Sequence, residues 1–289
     1  MPSSIAETIL QGANRLREAG VPEARREAGS LLGYVLGRDR SFIVTHAEDA
    51  VGEEHAGRFR ECVERRAEGE PLQYITANQE FFGLDFEVTK DVLIPRPETE
   101  LLIDVALRLF SEPGAAPFIC DVGTGSGCIA ITLMQRLPQA RAVAIDISPD
   151  ALAVARRNAE RHLVSERIDF IHSDCFAALT LSESRASFNL IVSNPPYIEE
   201  GAIADLQREV RDFEPRSALA GGEDGLDIIR RLLLETPGFL KRGGYFLFEI
   251  GFNQAAAIER LIDPRIWKLR DIHKDLQGIA RTVALQLVE

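Results

Sequence analysis

Phe188-Asn189-Leu190-Ile191-Val192-Ser193-Asn194-Pro195-Pro196-Tyr197-Ile198 decides how the chain is read. It opens as an apolar run of strand formers, Leu190, Ile191 and Val192, which suits a strand buried on both faces of a parallel sheet. It stops at Asn-Pro-Pro-Tyr, because two consecutive prolines remove two backbone donors and fix two φ angles. Asn194 precedes a proline and is pushed to an extended conformation. An amide side chain and an aromatic ring are thereby held at the C-terminal end of a strand, where open α/β sheets bind their ligands. That corner suits a planar NH2 group. The Asn194 side-chain oxygen and the Pro195 carbonyl are acceptors close together, and Tyr197 offers a flat face for an amide or a base.

Working outward, the chain from Phe118 onward alternates strand and helix, which implies a mostly parallel, two-sided sheet. Strands are expected at 118–122, 141–147, 168–172, 188–193, 245–250, 267–273 and 281–288, and helices at 126–137, 149–163, 225–240 and 253–262. The first strand runs into Asp121-Val122-Gly123-Thr124-Gly125-Ser126-Gly127, whose glycines permit a tight turn and a close backbone approach to a ligand. The spacing is not the GxGxxG of dinucleotide folds, and the phosphate-loop lysine is missing. The second strand ends in Asp146, placed to accept both hydroxyls of a ribose. Asp121 sits where it can receive an ammonium group. Ser173-Asp174 closes the third strand, where a carboxylate can take an adenine amino group. Any one of these aspartates alone reads as a helix cap or turn residue. All three at successive strand ends favour an adenosine carrying an amino-acid tail.

Residues 3 to about 70 read as a small helical bundle. Ser4 and Glu7 form a capping box, Pro22 starts a second helix, Phe42-Ile43-Val44 looks like a short buried segment, and a helix runs from about Glu53 to Arg66. Gln73-Tyr74-Ile75 and the aromatic stretch from Phe81 to Val88 read as a β-hairpin, with Gly83-Leu84-Asp85 as its turn. The expected organisation is a helical domain over 1–72, a hairpin linker over 73–93 and a larger α/β domain over 94–289. In Ile94-Pro95-Arg96-Pro97-Glu98-Thr99-Glu100, the charges of Arg96 and Glu100 fit two readings equally: exposed helix-start charges, or the mouth of a site.

The net charge of −12 over 289 residues argues against a generic nucleic-acid binder, which shows a basic footprint. Cys62, Cys120, Cys128 and Cys175 lack metal or CxxC spacing, and the five histidines are scattered, so no metal is expected. Without a basic start followed by an apolar core, or an apolar run of bilayer length, the expectation is a soluble, cytoplasmic, monomeric protein.

The combined residues resemble the class I S-adenosylmethionine-dependent methyltransferases. Asp121 to Gly127 resembles that family's cofactor loop, Asp146 its ribose acid, and Asn194 to Tyr197 the motif of enzymes that methylate planar nitrogens of adenine, guanine or glutamine. The match narrows with Pro71-Leu72-Gln73-Tyr74-Ile75, Phe82-Gly83, Ile94 to Glu100, and Val210-Arg211-Asp212-Phe213-Glu214-Pro215-Arg216 with Ala218-Leu219. These are similar to the PrmC/HemK family of peptide chain release factor glutamine methyltransferases, over nearly the whole chain. The resemblance implies a Rossmann-like seven-stranded domain joined through a hairpin to a helical domain that helps recognise the protein substrate. It implies N5-methylation of the glutamine in the Gly-Gly-Gln motif of class I release factors, with S-adenosylhomocysteine as the other product. Carried over, Asp121, Gly123, Thr124, Gly125, Ser126, Gly127, Asp146, Ser173, Asp174, Cys175 and Asn194 hold the cofactor. Asn194, Pro195, Pro196 and Tyr197 hold the glutamine, with Arg96 and Glu100 nearby. One departure is Cys175: several relatives carry Trp there, packed on the adenine, and a cysteine cannot stack. Alternatives are a glutamine methyltransferase acting on a ribosomal protein, or an N6-adenine nucleic-acid methyltransferase. The first carries a different stretch in place of residues 96–100, and the second predicts a basic face.

Overall fold

The backbone N–H of Ser4 and that of Glu7 each donate to the other residue's side chain, closing the capping box that starts α1 (Ile5–Glu18). In the computed structural model, which describes residues 3–179 and 187–288, the chain forms two units. The first comprises Met1–Asn78 with Gln207–Phe213, the second Gln79–Leu206 with Glu214–Glu289.

In the first unit α1 packs with α2 (Ala24–Leu36), α3 (Arg40–Thr45), α4 (Glu53–Ala67) and α5 (Leu72–Thr76). Leu16, Leu31, Leu32, Phe59 and Val63 fill its core. Gly12 allows α1 to approach α4, since a Cβ there would stand 2.5 Å from the Phe59 ring. Two expectations change. Residues 42–44 lie in a helix in which only Ile43 is buried and Val44 is exposed. Gln73-Tyr74-Ile75 forms a helical turn rather than a strand: Pro71 caps it, Ala77 closes it in the left-handed region, and burial of Tyr74 and Ile75 overrides their strand preference.

The second unit begins with a hairpin, β1 (Gln79–Phe81) and β2 (Leu84–Phe86). Its turn is Phe82-Gly83, both at positive φ, one residue earlier than the sequence suggests. Phe81 and Phe86 are fully buried in this unit's core, each stabilising it by about 1.5–3 kcal/mol. After α6 (Glu100–Leu109) come β3 (Phe118–Val122), α7 (Cys128–Arg136), β4 (Arg141–Asp146), α8 (Pro149–Arg161), β5 (Ile168–His172) and β6 (Phe188–Ser193). The short helix α9 (Arg208–Phe213) belongs to the first unit. The chain returns with α10 (Asp227–Glu235), β7 (Leu240–Glu249), α11 (Ala255–Leu261), β8 (Trp267–Lys274) and β9 (Ala280–Leu287). The helix expected to reach residue 240 stops at Glu235, because Thr236-Pro237-Gly238 turns the chain directly into β7.

The seven-stranded sheet has the order β5-β4-β3-β6-β7-β9-β8. The first five strands are parallel, and β9 is antiparallel to both of its neighbours. Alternate residues feed the two faces: Ile119, Leu190, Val192 and Leu247 enter one core, and Cys120, Ile191, Phe246 and Phe248 the other. That two-sided burial is why these strands read as continuous apolar runs. Strand order reverses between β3 and β6, so the Gly-rich loop and Asn-Pro-Pro-Tyr leave the sheet side by side at a topological switch point.

Candidate active site

A cavity of about 240 Å³ opens at the C-terminal ends of β3, β4, β5 and β6, and the second unit supplies every residue that lines it. The loop after β3 forms one wall. Gly123 and Gly125 hold φ of 74° and 56°, and nothing lies within 4 Å of where a Cβ would stand. Side chains here would be strained and would fill the space in front of the loop. Asp121 is fully buried. Its Oδ2 accepts from the Thr124 hydroxyl at 2.7 Å and from the Ala130 N–H at 3.3 Å, while its Oδ1 has no partner. Burial pushes this carboxyl up to about 7, against the pull of those two donors. Neither Asp121 nor Gly127 lines the cavity itself, but an orphaned carboxylate oxygen buried directly behind the loop calls for a cation or a donor.

Asp146 closes the adjoining wall. Its Oδ2 accepts from the Gly125 N–H at 2.8 Å and its Oδ1 from the Ser148 N–H at 2.9 Å. Burial raises its pKa, and the backbone donors oppose the rise. Beside it Ile147, 57% exposed, presents an apolar side chain to the cavity. Ser173, Asp174 and Cys175 line the far end. The Ser173 hydroxyl donates to the Cys175 carbonyl at 2.6 Å and accepts from the Ala178 N–H, which shapes the turn. Asp174 is less free than the sequence suggests, since Arg231 of α10 pairs with its Oδ1 at 2.5 Å. Cys175 takes a left-handed φ of 47°, and partial burial raises its thiol to about 11.

Asn194, Pro195 and Pro196 form the wall facing the Gly-rich loop. Asn194 donates through Nδ2 to the Thr99 hydroxyl at 3.1 Å. Thr99 donates to Glu249 Oε2 at 2.6 Å, and the Tyr197 hydroxyl donates to Glu249 Oε1 at 3.1 Å. No donor to the Pro195 carbonyl is present among the described residues. Tyr197 does not line the cavity. Its hydroxyl is held by Glu249 and its carbonyl accepts from Gln254 Nε2 at 3.0 Å, so it braces the loop instead of offering a free face. Arg96 lines the cavity and bonds the nearly buried Glu214 at 2.5 Å. Glu100 does not line it, because its Oε1 accepts from the Phe82 N–H at 2.8 Å and fixes the hairpin turn.

Sequence reasoning missed Glu249, Ile147 and the buttress behind Asn-Pro-Pro-Tyr. The signal for Glu249 was present: a carboxylate ends the apolar run Phe246-Leu247-Phe248, on the strand beside β6. The buttress is Gly221 to Gly225 with Gln254. Ile198 pairs with Ala220, and a Cβ on Gly225 would stand 2.3 Å from the Tyr197 carbonyl oxygen. The backbone contacts that require these glycines come from chain segments far apart in sequence.

Residues 7–76 match the PrmC N-terminal domain and residues 99–210 the methyltransferase small domain. The chain is 44% identical over 281 residues to a release factor glutamine methyltransferase of Koribacter versatilis (strain Ellin345), covering 97% of each protein. It is 41% identical over 289 residues to the release factor glutamine methyltransferase of Nitratidesulfovibrio vulgaris (strain Hildenborough), covering 98% of this chain and 96% of that one. Among solved structures, the hMettl16 catalytic domain, in complex with an RNA hairpin, superposes with a TM-score of 0.56 at 16% identity. That match covers 89% of this chain and 90% of the other, and it shows the fold alone. The seven-stranded sheet and the matched domain define a class I methyltransferase, a class whose reaction depends on S-adenosylmethionine. Within that class the chain belongs to the release factor glutamine methyltransferase family, which comprises protein-glutamine methyltransferases.

Proposed function

We propose that this site transfers a methyl group from S-adenosylmethionine to the side-chain amide nitrogen, N5, of the glutamine in the Gly-Gly-Gln motif of class I release factors. The observation that carries this reading is the orientation of Asn194: with Nδ2 bonded to Thr99, its Oδ1 is left as an acceptor beside the free Pro195 carbonyl. Two acceptors on adjacent residues can take the two N–H groups of one primary amide.

The residues around the cavity also fit the cofactor. The unpartnered Asp121 Oδ1 suits the ammonium of an amino-acid tail, and the open faces of Gly123 and Gly125 suit its close approach. The Thr124 hydroxyl on Asp121 and the Ser126 carbonyl, which accepts from Asn158 Nδ2, hold the loop's shape, and Gly127 caps α7. Asp146 is placed for ribose hydroxyls, and Ile147 with Cys175 offers apolar contact to a base in place of an aromatic ring, with Ser173 and Asp174 at its edge. Bound there, S-adenosylmethionine supplies a methyl group on a positively charged sulfur.

An amide nitrogen is a poor nucleophile because its lone pair is delocalised. Asn194 and the Pro195 carbonyl fix its two N–H bonds, and both acceptors strengthen their hold as positive charge develops on nitrogen. Positioning supplies much of the remaining rate. A strong general base is not required, because an N-methylated amide cation is acidic enough to lose its proton to water. Arg96, anchored on Glu214, and the helical unit are assigned to recognition of the protein substrate.

The test is transfer of labelled methyl to a purified release factor and to the same factor with its Gly-Gly-Gln glutamine replaced. Label on the intact factor alone is expected. Label on a ribosomal protein or on nucleic acid instead would keep the methyltransferase and remove the release-factor assignment.

A further inference from the structure

We propose that Glu249, acting through Thr99, is the positioning residue that fixes which end of the Asn194 amide faces the cavity. The inference rests on the function proposed above and adds a buried element to it. An amide has two ends of nearly the same shape and opposite hydrogen-bonding character, so something must decide which end meets the substrate. Here the decision comes from counting hydrogens. The Thr99 hydroxyl carries one, and an ionised carboxylate carries none, so the 2.6 Å contact with Glu249 uses the Thr99 hydrogen. Thr99 Oγ1 is then only an acceptor towards Asn194, and the group 3.1 Å away must be the NH2 end. Oδ1 is turned away from Thr99, as a substrate N–H requires. The reverse orientation would set two acceptors against each other at Thr99 and an NH2 group against the substrate NH2.

Asn194 makes no other side-chain hydrogen bond among the described residues, so nothing but this chain distinguishes its two ends. The same carboxylate holds the Tyr197 hydroxyl, so one buried acid braces both ends of Asn-Pro-Pro-Tyr. Glu249 and Thr99 are 1% and 2% exposed, and neither oxygen of the acid is available to solvent for another task. The charged and titratable groups around Glu249 are Arg281 on β9, Glu98 before α6, the Tyr197 phenol and the Cys128 thiol at the start of α7. Arg281 favours the ionised acid and is itself shared with Asp275, whereas Glu98 opposes ionisation.

Ionisation is what gives the chain its direction. Protonated, Glu249 can donate to Thr99, which frees the Thr99 hydrogen for Asn194 Oδ1 and lets the amide turn round. Burial holds this carboxyl at about 7, so the turn falls within a measurable range. Turnover should therefore fall as pH drops through about 7.

The experiment measures kcat on a release factor for the wild type, Thr99→Val, Thr99→Ser and Glu249→Gln, from about pH 5.5 to about pH 9. Cofactor is kept saturating, so that Asp121, which meets the cofactor, stays out of the profile. Affinity for S-adenosylhomocysteine and the melting temperature are read alongside. Thr99→Val keeps the shape and loses the hydroxyl. It should lower kcat about tenfold or more while leaving S-adenosylhomocysteine affinity within about twofold. Thr99→Ser should recover kcat to within about threefold of the wild type. Glu249→Gln should be slow and should lack the acidic limb. Thr99→Val with wild-type kcat, or Glu249→Gln that keeps the acidic limb, would overturn the proposal, and the second arm decides should Thr99→Val not fold. Absence of transfer by the wild type itself would sink the release-factor reading along with it, which separates the two failures.

Discussion

At the scale of single residues, the site runs on buried carboxyls held close to neutrality. Asp121 and Glu249 each sit at about 7, chiefly because burial penalises their charge. The folded chain thus binds these two protons more tightly than the unfolded chain. Their contribution to stability is fully present below the unfolded value, roughly 4, and is lost as pH rises through about 7. On the proposed mechanism chemistry and stability therefore pull in opposite directions: the ionised acids that it calls for are the forms the fold resists. Glu249→Gln should flatten this dependence. Between about pH 5 and about pH 8 its unfolding free energy should fall less than that of the wild type, by on the order of 3 kcal/mol, as read by urea titration of cofactor-free protein. Asn194→Ala removes the acceptor itself. It should lower kcat by roughly 10²-fold without a matching loss of S-adenosylhomocysteine affinity, measured by single-turnover assay and calorimetry. The positions of Asn194 and Asp121 were legible because each stands at a strand end beside prolines or glycines. Glu249 left only the trace of an acid ending an apolar strand, and its partners, Thr99 before α6 and Tyr197 in the loop after β6, lie far from it in sequence.

At the scale of elements, Asn-Pro-Pro-Tyr is stiff by composition, yet its position depends on a second loop. The Tyr197 carbonyl accepts from Gln254, and Gly225 at φ 72° passes close behind it. Gly225→Ala would add strain at a positive φ and drive a methyl group against that carbonyl oxygen. Gly114 shares a positive φ of 80° with nothing within 4 Å of its would-be Cβ, so Gly114→Ala isolates the backbone term. Gly225→Ala should lower the melting temperature more than Gly114→Ala and reduce kcat, whereas Gly114→Ala should leave kcat unchanged. Equal effects of the two on kcat would mean that the loop does not hold the site. The element pattern from 118 onward was readable because two-sided burial forces apolar strands and Gly or Pro marks their ends. Readings failed where a proline or tertiary burial overrode local preference, as in α5 and at the end of α10.

At the scale of the whole molecule, the chain builds two units and divides them unevenly along its length. Residues 207–213, embedded in the sequence of the larger unit, belong to the helical one. There Arg66, 6% exposed, pairs with Glu27 at 2.5 Å and with Glu209 of α9 at 2.7 Å, so a buried cation ties α4 to a helix drawn from far along the chain. No local pattern could announce that pairing, since Arg66 reads as an ordinary charge near a helix end. Removing one member of a buried ion pair strands its partner, and Arg66→Ala should cost the helical unit about 3 kcal/mol. The cavity is lined by the other unit alone. Two units that share no core predict two unfolding transitions, so calorimetry of Arg66→Ala should show one transition moved down and the S-adenosylhomocysteine-stabilised transition in place. The Michaelis constant for an intact release factor should rise in this variant while S-adenosylhomocysteine affinity stays at the wild-type value. If both constants moved together, the helical unit would be supporting the cofactor site as well as the substrate. If neither moved despite a lowered transition, recognition of the release factor would have to lie on the larger unit, with Arg96 as the first residue to replace.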